Sequence, residues 1–197
     1  MFKRGFKTDC ERTAAMVRRQ RGLSVSAPLD PRSLAESIGV EVLSPDQLPA
    51  LSPKTCEMLL GIYSDEWSAV TFPSDPPLIV FNPSHSIARQ NSDLMHELAH
   101  LLLKHAPTMV FIHPKTQLAI RTFDAAQEDE ANWLSGSLLL PREALLLIKR
   151  SRWTDEDSCS TYGVSGAMLK YRLGISGVNV QYQRTNSLGR TNNSPAS

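Results

Sequence analysis

His96-Glu97-Leu98-Ala99-His100 gathers two imidazoles and a carboxylate within five residues. Residues four apart in a helix sit one turn apart on the same face, so both rings can aim at one ion. Glu97, one step round the helix, can reach a water on that ion without being a ligand, the position of a general base. With 5 histidines and ten glutamates in the chain, such a pentad arises by chance roughly 0.006 times. Leu94, Met95, Leu98, Ala99, Leu101, Leu102 and Leu103 surround it on nearly every side. A helix apolar all round is a buried one. Two histidines and a glutamate are poor occupants of such a helix without a partner. A zinc ion supplies that partner.

A catalytic zinc takes three protein ligands and leaves a fourth position to water. The candidates for the third are His105 and the acidic run Glu128-Asp129-Glu130. The longer HExxHxxGxxH pattern fails, because Leu103 and Ala106 stand where glycine and histidine are required. His105 is off that register and reads as an exposed histidine at a helix end, where the dipole favours it. Glu128 is better placed. It lies one turn before Ala131 on the packing face marked by Ala131, Leu134, Ser135 and Leu138. Glu130, about 200° round the helix from Glu128, is the rival and cannot share the role. With Glu128 as ligand, Asn132 at i+4 is expected to hold a ligating imidazole by hydrogen bond.

The elements that position these groups are legible from caps and periodicity. Residues 92–104 form the motif helix, closed by Pro107, and a second long helix runs from about Asp124 to Leu140, broken by Pro141. Upstream, a basic helix stops near Gly22. Asp30 and Pro31 then cap and open a short helix that ends at Gly39. Residues 40–43, 61–63, 68–72 and 78–81 read as short strands of a small, mostly antiparallel sheet, with 109–112 as one more. Residues 55–60 suggest a helical turn. Helices follow over 143–150, 154–158 and 165–173. The fold class is therefore α+β: a zincin-like helical core, a small sheet and a helical C-terminal extension. The expected organisation is a core over 1–142, an extension packed on it over 143–184, and a disordered tail over 185–197.

Composition narrows the function. Of 197 residues, 41% are hydrophobic and 21% charged, which excludes wholesale disorder. A net charge of +1 is too small for a general polyanion binder. The longest apolar run, Ala144-Leu-Leu-Leu-Ile148, is far short of the roughly 20 residues a membrane helix needs. Three dispersed cysteines (Cys10, Cys56, Cys159) argue against a disulfide framework, and the basic first residues are followed by no apolar segment. A cytoplasmic protein without membrane association is expected. Residues 143–173 also fit a helix-turn-helix, with 154–161 and 165–173 as its two helices, but Asp155, Glu156 and Asp157 would face phosphates and only Lys170 is cationic on the exposed recognition positions. Direct DNA contact is not expected.

His96–His100 followed by Glu128-Asp-Glu-Ala-Asn-Trp-Leu-Ser-Gly-Ser-Leu-Leu-Leu-Pro141 resembles the ImmA/IrrE family of zinc peptidases, which reads HExxH, a spacer, ExEAN and LLxP. Lys3-Arg-Gly-Phe-Lys-Thr-Asp-Cys-Glu and Leu29-Asp-Pro-Arg-Ser-Leu-Ala-Glu-Ser-Ile-Gly-Val-Glu-Val are similar to openings in that family. The resemblance covers most of residues 3–175. It implies Zn2+ held by His96, His100 and a glutamate at the Glu128 position. It also implies proteolysis of helix-turn-helix repressors of mobile elements or stress regulons. Asn91-Ser-Asp-Leu-Met departs from the commoner aromatic-Thr-Leu-Ala, and Trp133-Leu-Ser-Gly from an aromatic-Ala-Ala run. In the expected chemistry Glu97 takes a proton from the zinc water, with Tyr162, Tyr171, Arg172 or His113 as a second oxyanion donor. The strand at 78–81 is expected to pair with an extended substrate.

Overall fold

The computed structural model describes residues 2–106, 110–112, 119–121 and 124–191. Helix α1 (Phe6–Gln20) buries Cys10, Ala14, Val17 and Arg18, one stripe at i, i+4, i+7 and i+8. Helix α2 (Pro31–Ser37) starts as its sequence prescribes: the Asp30 carboxylate accepts from the Ser33 amide at 2.9 Å, and Pro31 opens the first turn. Strand β1 (Glu41–Leu43) follows. Helix α3 (Pro53–Leu60), capped by Ser52, buries none of its residues.

Strands β2 (Ala69–Phe72) and β3 (Leu78–Phe81) pair antiparallel, and β3 pairs parallel with β1, giving the order β1-β3-β2. The sheet is thus mixed, and β3 is its centre. Residues 61–63 form turns rather than a strand. Gly61, whose Cβ would lie 2.7 Å from the Glu57 carbonyl oxygen, is already committed to closing α3.

Helix α4 (Ile87–Leu103) begins five residues earlier than its apolar pattern suggests, because Ser86 caps it and accepts from the Arg89 amide. It buries Leu94, Met95, Leu98 and Ala99. Strands β4 (Val110–Ile112) and β5 (Ala119–Arg121) form an antiparallel pair, with Phe111 opposite Ile120. The first meets the expectation at 109–112; the second carries no cap or turn signal strong enough to announce it.

Helix α5 (Ala125–Leu139) is the central element. It buries Ala131 and every residue from Trp133 to Leu139, against α4 on one side and α1 on another. Helices α6 (Arg142–Ser151), α7 (Asp155–Tyr162), α8 (Gly166–Ile175) and α9 (Val178–Thr191) complete the chain. Thr154 and Ser165 cap α7 and α8 as their types suggest. Helix α9 runs well into the segment expected to be disordered, so the chain remains helical to Thr191. Buried side chains from α1, α2, β3, α4, α5, α6, α8 and the start of α9 share one apolar core. The molecule is helical around a small mixed sheet, the expected α+β class.

Candidate metal centre and catalytic cleft

The contact between α4 and α5 builds the site. Leu94 and Leu98 on one helix, and Ala131, Leu134 and Leu138 on the other, are all at most 1% exposed. That packing fixes the rotation of both helices. It brings the Glu128 carboxylate over His96 and His100. His96 Nε2 lies 3.2 Å from Glu128 Oε2, His100 Nε2 lies 3.6 Å from Glu128 Oε1, and the two imidazole Nε2 atoms are 3.0 Å apart. Tetrahedral coordination with bonds of about 2.0–2.1 Å spaces ligand atoms about 3.3–3.4 Å apart, and the three separations bracket that value. The donor set therefore fits a divalent cation with a preference for nitrogen and oxygen ligands. Burial, and next the neighbouring His96, hold the His100 imidazole below its ordinary pKa, which favours the neutral form that ligates.

Glu128 and Glu130 go separate ways. Glu130 Oε2 is 3.3 Å from His105 Nε2, and His105 Nδ1 is 3.0 Å from His100 Nδ1. The His105 side chain is only 7% exposed. The expectation of an exposed helix-end histidine is therefore corrected. Lys104 closes α4 in the left-handed conformation (φ 55°), and the chain turns so that the next ring folds back onto the helix. Asn132, expected to hold a ligating imidazole, is exposed instead. Among the described residues its side chain makes no hydrogen bond to either histidine.

Glu97 lies beside this centre, and the Thr71 hydroxyl donates to its Oε2. No sequence signal marked Thr71, which stands 26 residues away on β2 and meets Glu97 only through the packing of sheet on helix. The strand expectation also changes. Both sides of β3 are paired, so its backbone cannot receive a further strand, whereas among the described residues β2 is an edge, and it carries Thr71 to Glu97.

A cleft of about 490 Å³ opens next to His96, lined among others by Phe2, Asp93, Asp129, Asn132, Trp133 and Tyr171. Burial pushes the Asp93 carboxyl above its usual range, against the attraction of Arg89, whose Nε is 3.8 Å away. Of the three described residues among the expected oxyanion donors, Tyr171 lines this cleft and Tyr162 and Arg172 do not. The Tyr162 hydroxyl donates to the Ser26 carbonyl at 2.8 Å, deep in the protein. Arg172 is fully buried against Glu11 and the Leu140 carbonyl. His113 lies outside the described residues.

An HExxH helix facing a carboxylate on the next long helix, beside an edge strand, defines a metallopeptidase-like fold. The family model of the IrrE N-terminal-like domain (Peptidase_M78) matches residues 61–174, and the chain belongs to that family. The match runs past residue 142 and takes in α6, α7 and most of α8. No curated protein matches the chain in sequence. Among solved structures, a Mycobacterium tuberculosis transcriptional regulator is similar in fold, with a TM-score of 0.53 at 17% identity over 87% of this chain. The similarity covers 47% of that regulator, so the chain spans about half its length. Among the described residues no helix is long and apolar enough to cross a membrane.

Proposed function

We propose that the chain is a zinc-dependent endopeptidase that cleaves a protein, a helix-turn-helix transcriptional repressor, and so acts as an anti-repressor. The observation that carries the reading is the convergence of His96, His100 and Glu128, whose ligand atoms all lie within 4.8 Å of one another, with Glu97 adjacent on the same helix. When bound, zinc supplies Lewis acidity to a scissile carbonyl and acidifies a water at neutral pH. Glu97 receives that proton on its carboxylate and passes it to the leaving amine. The Thr71 hydroxyl, bonded to Glu97 Oε2, holds the carboxylate in one orientation. An extended substrate adds to the free edge of β2, where backbone pairing binds without regard to sequence. The cleft walls then choose among side chains. Tyr171, which lines the same cleft as His96, would steady the carbonyl oxygen.

The repressor substrate rests on membership of the family and on what the ImmA/IrrE resemblance implies; the similarity to a transcriptional regulator is in keeping with it. A second reading, direct DNA binding, draws on α7 and α8, which are joined through Gly163 as a helix-turn-helix would be. Two features favour the peptidase. Helix α8 buries Leu169 and Arg172 against the core, and the first turn of α7 carries Asp155, Glu156 and Asp157. A third reading keeps the metal and the repressor but omits cleavage, as a zinc-dependent sensor.

The test compares Glu97→Gln with Glu128→Gln on a candidate repressor, with zinc content measured in parallel. Glu97→Gln keeps about one zinc per chain and loses roughly 10²–10⁴ in cleavage rate, because glutamine cannot accept the proton. Glu128→Gln loses zinc and activity together. Unchanged cleavage by zinc-loaded Glu97→Gln removes the mechanism. A wild-type protein that binds repressors without cutting them leaves the sensor in its place.

A further inference from the structure

Behind the ligand set lies a second layer that the proposed chemistry does not use. His100 has its two ring nitrogens divided between two neighbourhoods. Nε2 faces His96 and Glu128, at 3.0 and 3.6 Å, while Nδ1 faces His105 Nδ1 at 3.0 Å. His105 in turn presents Nε2 to Glu130 Oε2 at 3.3 Å. Its ring meets that of His100 edge to face, with centroids 4.9 Å apart. The backbone locks the arrangement as well, since the His105 amide donates to the His100 carbonyl at 3.0 Å.

One assignment of protons satisfies the whole chain with neutral rings. A carboxylate only accepts, so His105 carries its hydrogen on Nε2 and donates to Glu130. Its Nδ1 is then an acceptor, and His100 must donate from Nδ1. The lone pair left on His100 Nε2 points at the place where His96 and Glu128 converge. A ligating histidine that donates its other N–H to a fixed acceptor has its tautomer and ring plane set in advance and becomes a more basic ligand. Here the acceptor is a histidine backed by a carboxylate.

We propose that Glu130 and His105 are a positioning pair for the metal: they orient His100 and raise its affinity for the ion without touching it. The proposal rests on the metal-centre reading above and adds to it the role of two residues that are not ligands. It also accounts for two acidic residues of one run serving one site. Glu128 faces the ion, and Glu130, about 200° round α5, reaches the ion's ligand from behind through His105.

The experiment uses the full chain and zinc itself. Zinc affinity is measured by competition with a chromophoric chelator, and the visible spectrum of the cobalt(II) form reports the ligand geometry. Thermal midpoints of the metal-free proteins control for folding. His105→Phe keeps the ring and removes the acceptor, and is expected to weaken zinc binding about 10–100-fold with the metal-free midpoint little changed. His105→Asn restores an acceptor at the position of Nδ1 and recovers most of that loss. Glu130→Gln gives a smaller loss of the same sign, because its amide oxygen still accepts. Wild-type affinity in His105→Phe overturns the proposal, as does an Asn variant no better than Phe. A wild-type chain that takes up no zinc overturns both this pair and the peptidase. Affinities that follow the expected order, in a protein that cleaves nothing, support the pair and remove only the peptidase.

Discussion

Single residues here are set by what burial does to them. Cys10 shows the effect most simply. It is 2% exposed on the inner face of α1, and burial, reinforced by Glu11, raises its thiol to about 12. An unfolded thiol ionises near 9, so between about 9 and 12 the folded state retains a proton that the unfolded state has lost. Stability therefore falls as pH rises through that window. Cys10→Ala removes this contribution, and its thermal midpoint is expected to decline less than that of wild type between pH 8 and pH 11. An identical decline in the two proteins would show that Cys10 plays no part. The same physics acts on His100, where burial favours the neutral ring.

Elements matter through their ends and through their contacts. Helix α5 begins with Asp124, whose Oδ1 accepts from the amides of Ala126 at 2.9 Å and Gln127 at 3.3 Å. Glu128 stands in that first turn, so the cap orders a candidate ligand as well as a helix. Asp124→Ala is expected to cost about 1 kcal/mol of stability and to weaken zinc binding at the same time. Urea unfolding and a zinc competition assay measure the two effects; a stability loss with unchanged affinity would separate the cap from the site. Cap residues were legible in the sequence. Asp30, Thr154, Ser165 and the Asp124 start all hold, because a cap is a local bond between a side chain and amides two or three residues away. Residues 61–63 differ from the strand their β-branched and aromatic types suggest, because the preceding helix imposes a turn there. Strand β5 and the early start of α4 had no comparable local mark.

At the scale of the molecule, buried charges join distant segments. Arg18 is fully buried in α1 and donates to the carbonyls of Ala14, Ala27 and Leu138, linking α1, the following loop and α5. Glu11 gathers three partners. Its carboxylate accepts from Arg172 Nη2 at 2.6 Å, from the Arg142 amide at 2.8 Å and from Ser137 Oγ at 3.4 Å. Arg172 passes so close to α5 that a Cβ at Gly136 would lie 2.9 Å from its side chain. These contacts seat the C-terminal helices on the core. Asn91, on the motif helix, adds to them by donating to the carbonyl of Gly163 between α7 and α8. Glu11→Ala leaves the Arg172 guanidinium buried without its anion. Because Glu11 is itself partly exposed, the cost is expected at the lower end of the about 3–5 kcal/mol typical of a broken buried pair. Chemical denaturation reads this directly, and a loss under 1 kcal/mol would show that water reaches Arg172.

The sequence by itself determined most of the helices, the caps of α2, α5, α7 and α8, the HExxH pentad and the two acidic candidates on the next long helix. Each of these depends on spacing along the chain: one turn of helix brings His96 to His100, and one turn separates Glu128 from Ala131. Only the tertiary structure decided which acid faces the histidines, that His105 folds behind His100, that Thr71 reaches Glu97, and that β3 is the centre of the sheet while β2 is an edge among the described residues. Those relations join residues 5 to 32 positions apart through the packing of α4 on α5 and of the sheet on α4. Spacing along one helix cannot fix the rotation of another. The buried faces of both helices do, because Leu94 and Leu98 on α4 and Leu134 and Leu138 on α5 lie in one close-packed core, which admits one register between the helices.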